Sequence, residues 1–142
     1  MAGLIEFVII FAGLNLGLGF LRRKLMPGIF GADFLFFAPW LASFQFGFVE
    51  GIVTAIILLS THIITSLEII QYILFASPAV VLAAYLGSIW QFNGFWPALI
   101  LYHLISAGLV FASRGFGGKF FIFILFSFIF NIAIYFLYTV IT

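Results

Sequence analysis

The chain has 142 residues, 66% of them hydrophobic and 6% charged. A soluble domain carries roughly 25% charged and 45–50% apolar residues, so a water-soluble monomer is excluded. Five Lys/Arg against four Asp/Glu make no nucleic-acid footprint, and the lack of cysteine removes disulfides, thiolate metal sites and thiol nucleophiles.

Six crossings of about 20 residues would use about 120, leaving only short connections. The composition predicts an all-α, polytopic transmembrane helical bundle, one domain over 1–142, with six short spans and minimal loops. The expected location is the cell membrane, multi-pass, with the lipid bilayer as solvent.

The first span is expected over 3–21. No basic residue precedes it, and it closes on Arg22-Arg23-Lys24 instead of a small-residue cleavage site, so it reads as a retained helix. Met26-Pro27-Gly28 reads as a turn. From 34 to 65 the chain is mostly apolar, too long for one span of about 17–25 residues. Pro39 and the cluster Gln45, Gly47, Glu50, Gly51 divide it into a short span over 33–44 and a third over 47–65. The short one also fits a re-entrant segment. A fourth span is expected over 69–90, with Pro78 as a kink point. Trp90, Gln91, Asn93, Gly94 and Trp96 mark a membrane–water interface. Spans five and six are expected over 96–112 and 120–141, joined by a Gly-rich basic turn.

Charge supports the division. With six spans, the first, third and fifth loops share one side and hold every Lys and Arg: Arg22, Arg23, Lys24, Arg114 and Lys119. One unbroken span over 34–65 would put these residues on opposite faces. The positive-inside rule therefore favours six spans with both termini outside.

Helices in lipid associate through small residues and through polar groups that find partners. Gly13-x-x-x-Gly17, the row Ala79, Ala83, Gly87, and Gly47-x-x-x-Gly51-x-x-x-Ala55 are such small-residue stripes. They serve packing within the chain, and the first two are candidate docking faces for a partner membrane subunit. Polar residues also form stripes that point inward: Glu50, Thr54, Thr61 and Thr65; Ser127, Asn131 and Tyr135; Tyr102, His103 and Ser106.

Ionisable groups at membrane depth are expensive and are functional candidates by default. Glu6 is placed at the headgroups. Asp33 and Glu68 border the basic loops and pair with Arg22–Lys24 or Arg114. Glu50 opens span three, where it caps the helix or contacts a ligand. His103 lies roughly 10 Å below the surface, and His62 near the basic end of its span. No enzyme signature, metal-ligand spacing or cofactor motif is present, so the chain is read as non-enzymatic.

Asp33-Phe34…Pro39…Phe46-Gly47-x-x-x-Gly51 resembles the corner between spans two and three in substrate-binding S-components of energy-coupling-factor vitamin transporters, and MreD-like membrane proteins look similar there. The resemblance implies six helices, a ligand pocket between helix ends, and a partner membrane subunit. It also implies cytoplasmic termini, opposite to the sidedness that the charges favour. On residue grounds the first reading is a small-solute transport or substrate-binding subunit. Its binding candidates are Glu50, Thr54, Gln91, Asn93 and His103, suited to a small polar or cationic solute. The alternative is a non-catalytic structural or assembly subunit of a larger membrane complex.

Overall fold

The computed structural model describes residues 2–25, 31–65, 70–113 and 117–141. The elements are α1 (Ala2–Leu25), α2 (Phe37–Phe46), α3 (Phe48–Thr65), α4 (Ile70–Trp90), a 3-10 turn (Phe92–Gly94), α5 (Phe95–Ala112) and α6 (Gly118–Ile141). The fold is an all-α bundle. The expected turn at Met26-Pro27-Gly28 lies outside the described residues, as do Glu68 and Arg114.

Among the described residues, four segments are long and apolar enough to cross a membrane: Gly3–Lys24, Phe48–Thr65, Phe92–Ala112 and Phe120–Ile141. The outer surface is apolar along these helices, with Ile9, Ile56, Leu104 and Phe121 all exposed. Such a surface belongs against lipid. The chain is a small helical membrane protein.

The stretch 34–65 is broken. Gly47 adopts φ 120°, ψ 165°, a conformation essentially reserved for glycine. Its N–H donates to the Ser43 carbonyl at 3.2 Å and its carbonyl accepts the Gly51 N–H at 3.1 Å, so one residue turns α2 directly into α3. Gly51 then lies on α2, where a Cβ would overlap Ser43 Oγ and sit 2.9 Å from the Pro39 carbonyl. Pro39 is the third residue of α2, where its missing N–H leaves no intrahelical bond unmade.

α2 by itself is too short to span a bilayer. At about 1.5 Å per residue, α2 is about 15 Å long, half of a bilayer core of about 30 Å. Ahead of it, 31–36 enters the bundle without regular helix. Every residue from Asp33 to Ser43 is buried. Rings from all sides close on this rod: Phe11 of α1 meets Phe34 at 5.1 Å, Phe95 of α5 meets Trp40 at 5.4 Å, and Phe130 of α6 meets Phe34 at 5.3 Å. α3 and α4 complete the enclosure through small residues.

α4 supplies Ala79 and Ala83, both fully buried, and Gly87, where a Cβ would overlap the Trp40 carbonyl oxygen. This corrects one expectation. The stripe Ala79, Ala83, Gly87 is covered by α2 and presents no docking face to another subunit. Gly13 and Gly17 differ, being exposed on α1 with nothing within 4 Å of an added Cβ. Pro78 cannot donate to the Leu74 carbonyl, and the Ser77 hydroxyl does so instead at 2.7 Å. Such side-chain replacement makes proline tolerable inside a membrane helix.

The two ends of the bundle differ in charge. At one end Gly3 and Phe7 meet Phe46, Gln45 donates to the Tyr138 hydroxyl at 3.1 Å, and Phe92 stacks on Tyr135 at 5.3 Å. At the other, Gly19 packs on Thr65, Arg22 donates to the Thr65 carbonyl at 3.4 Å, and Ile73, Val110, Phe120 and Phe123 form a second apolar cluster. Arg22, Arg23 and Lys24 belong to this second end, opposite to Gly47 and the 91–94 turn.

Candidate functional site

A peptide bond at membrane depth must have its hydrogen bonds met internally. The entry segment 31–36 shows how. The Phe34 N–H donates to Asn15 Oδ1 at 3.2 Å, and the Leu35 N–H to Asp33 Oδ1 at 3.0 Å. The Phe34 and Phe36 carbonyls accept from Ala38 and Trp40 at 3.1 and 3.2 Å. Asn15 is itself fixed by donating to Thr61 Oγ1 at 3.0 Å and the Leu58 carbonyl at 3.4 Å. It stands ten residues from the end of α1, about 15 Å below the basic end. One buried amide therefore ties α1, α3 and the entry segment together at mid-depth.

Asp33 stands in the turn that precedes α2, its Oδ1 accepting the Leu35 N–H. Only one of its oxygens is used. Oδ2 has no hydrogen-bond partner among the described residues, although Asp33 is only 1% exposed. Arg22 of α1 is buried, and its charge acts on both Asp33 and His62 of α3. Asp33 in turn acts electrostatically on Tyr102 of α5. Both His62 ring nitrogens, the Tyr102 hydroxyl and the Ser106 hydroxyl are buried without partners. Next to Tyr102, His103 has Nδ1 on the Leu99 carbonyl at 2.9 Å and leaves Nε2 unpartnered.

Buried polar atoms are normally paired, and each one left unmet costs about 1–3 kcal/mol. Here a carboxylate oxygen, both His62 ring nitrogens, one His103 nitrogen, a phenol and a serine hydroxyl go unmet inside the bundle. The entry segment, α3 and α5 supply them. Together they form the candidate site.

Sequence reasoning placed the binding candidates elsewhere. Thr54 is buried and donates to the Glu50 carbonyl at 2.8 Å, an ordinary bond within its helix. Glu50 lies in the first turn of α3, half-buried. Gln91, at φ 53°, and Asn93 are exposed in the turn before α5. Asn93 lines a shallow, open cleft of about 280 Å³ with Trp90, Gly94 and Pro97. Apart from the Thr54 bond, no hydrogen bond of the described residues joins these five. Only His103 stands with the enclosed polar groups. Asn15 and the burial of Asp33 were missed. A lone Asn inside an otherwise apolar span was the available signal for the first.

Among the described residues no three His, Asp or Glu side chains are grouped as a metal ion would require. Comparison with protein-family models, curated proteins and solved structures gave no match for this chain.

Proposed function

We propose that the chain is a small-solute transport subunit of the cell membrane, with its working centre at the break in the second crossing. One observation carries the reading: the unpartnered Asp33 Oδ2, enclosed in the irregular segment that leads into a half-length helix. A buried structural carboxylate would be expected to use both oxygens. Broken helices inside a bundle are how transporters bring polar backbone and side chains to mid-membrane. Arg22, His62, Tyr102 and Ser106 give the centre donors and acceptors of both kinds.

The reading is tested with the purified chain in liposomes and a panel of small polar and cationic solutes. Uptake of at least one solute is expected, falling to the protein-free rate in Asp33→Asn and in Tyr102→Phe. Uptake that both variants retain would place the working centre elsewhere. No uptake or binding across the panel would refute the transport reading.

A second reading, an assembly subunit, is favoured by one feature. Gly13 and Gly17 leave a bare strip on α1 that no described residue covers. Such strips let a second helix approach closely. Co-purification of a partner that is lost in Gly17→Leu would support it.

A further inference from the structure

We infer that α5 and α6 bind a small uncharged solute that donates at least two hydrogen bonds through N–H or O–H groups, an inference that rests on the transport reading and names its substrate class. The class follows from what the unmet buried atoms can still do. His103 sets Nδ1 2.9 Å from the Leu99 carbonyl, which can only accept. Nδ1 therefore carries the proton, and Nε2 is a bare acceptor without a partner. Asn131 gives its Nδ2 to the Ser127 carbonyl at 2.7 Å, which leaves Oδ1 as a second acceptor without a partner. The Tyr102 and Ser106 hydroxyls, also unmet, can donate or accept. Ser106 does not make the local bond that Ser60, Ser77, Ser88 and Ser113 make, each donating at 2.7–2.8 Å to a carbonyl three or four residues back. Fixed acceptors outnumber fixed donors in this set, so the missing partner is a donor.

The four groups lie at neighbouring depths. α5 and α6 run antiparallel, with Phe95 stacked on Tyr135 at 3.8 Å and His103 meeting Phe128 at 5.3 Å. Asn131 is about one turn from Phe128 on α6, and Ser106 about one turn from His103 on α5. From the entry segment, Phe36 meets the Tyr102 ring at 5.2 Å. Tyr102, Ser106 and Asn131 are at most 1% exposed and His103 is 7% exposed. What covers His103 from α6 is the Phe128 ring, a side chain and not backbone. Charge then selects the class. None of the four side chains is charged, because an imidazolium at His103 would bury a second N–H with no acceptor. Among the described residues the buried charged side chains are Arg22 and Asp33, one of each sign. A cation seated here would add a charge that nothing balances, which is costly at this depth. A neutral donor meets both acceptors without that cost.

Saturation-transfer magnetic resonance on the full chain in detergent tests this with a graded series. Acetamide carries two N–H donors, N-methylacetamide one and N,N-dimethylacetamide none on the same carbonyl, glycerol supplies O–H donors, and methylammonium adds a charge. Acetamide and glycerol are expected to bind, and binding should weaken about tenfold with each N–H removed. His103→Phe and Asn131→Leu should each weaken acetamide binding by at least about tenfold. Neither should lower the unfolding midpoint as a structural residue would, because each removes a buried atom that has no partner. The series on the parent chain decides the matter even where a variant fails to fold. Equal binding of N,N-dimethylacetamide, tighter binding of methylammonium, full acetamide binding in both folded variants, or no binding of acetamide and glycerol overturns the inference. Uptake of methylammonium into liposomes would then leave transport standing. Binding in the donor order, with no uptake of acetamide or glycerol above protein-free liposomes, overturns transport and leaves the site.

Discussion

Asn15 accepts the Phe34 amide hydrogen at 3.2 Å, joining the middle of α1 to a peptide that enters the bundle unpaired. This bond connects residues 19 apart in sequence and sets the depth at which α2 begins. Asn15→Ala would leave the Phe34 N–H buried with no acceptor and Thr61 without its donor. The expected loss is about 1–3 kcal/mol, read as a shift in detergent unfolding. Gln45→Ala, which removes a bond at the exposed end of the bundle, should shift the midpoint far less. Equal effects would show that Asn15 does not anchor the entry segment.

The single-residue connection at Gly47 makes a second prediction. Its φ of 120° lies where side chains are strained, so Gly47→Ala should cost about 1–3 kcal/mol. Contact is the lesser part, because an added Cβ meets the movable end of Glu50 at 2.8 Å. Glu50→Ala in the same background should therefore fail to restore stability. Full restoration would mean that crowding, not backbone conformation, sets the cost.

Two glycine faces should respond in opposite ways. Gly87→Leu forces a side chain into the Trp40 carbonyl, and overpacking of this kind costs about 1–3 kcal/mol or more. Gly17→Leu meets open space and should leave monomer stability within about 0.5 kcal/mol. Thermal unfolding in detergent checks both. A stable Gly87→Leu protein would contradict the packing of α4 on α2.

Much of this architecture was legible in the sequence. Gly47, amid Gln45, Glu50 and Gly51, announced the break because polar and small residues interrupt an otherwise greasy run. The inward stripes were readable too, since Thr54, Thr65, Tyr102, Ser106, Ser127 and Asn131 recur at helical spacing and are all buried. The depth of Asp33 was not. Spacing from Arg22–Lys24 put it at the membrane border, whereas an irregular segment carries it inward, and irregular backbone has no periodic signature. Likewise, Ala79, Ala83 and Gly87 look the same in sequence whether their neighbour is α2 or another protein. Only the enclosed position of α2 decides between them.

The central claim is that the chain doubles back at Gly47, so that Gln45 and Gln91 share one side while Arg23 and Gly117 share the other. The chain contains no cysteine, so single-cysteine labelling with a membrane-impermeant maleimide tests it directly. Gln45→Cys and Gln91→Cys should label from one side of oriented vesicles, and Arg23→Cys and Gly117→Cys from the other. Labelling of Arg23→Cys and Gly117→Cys from opposite sides would contradict it.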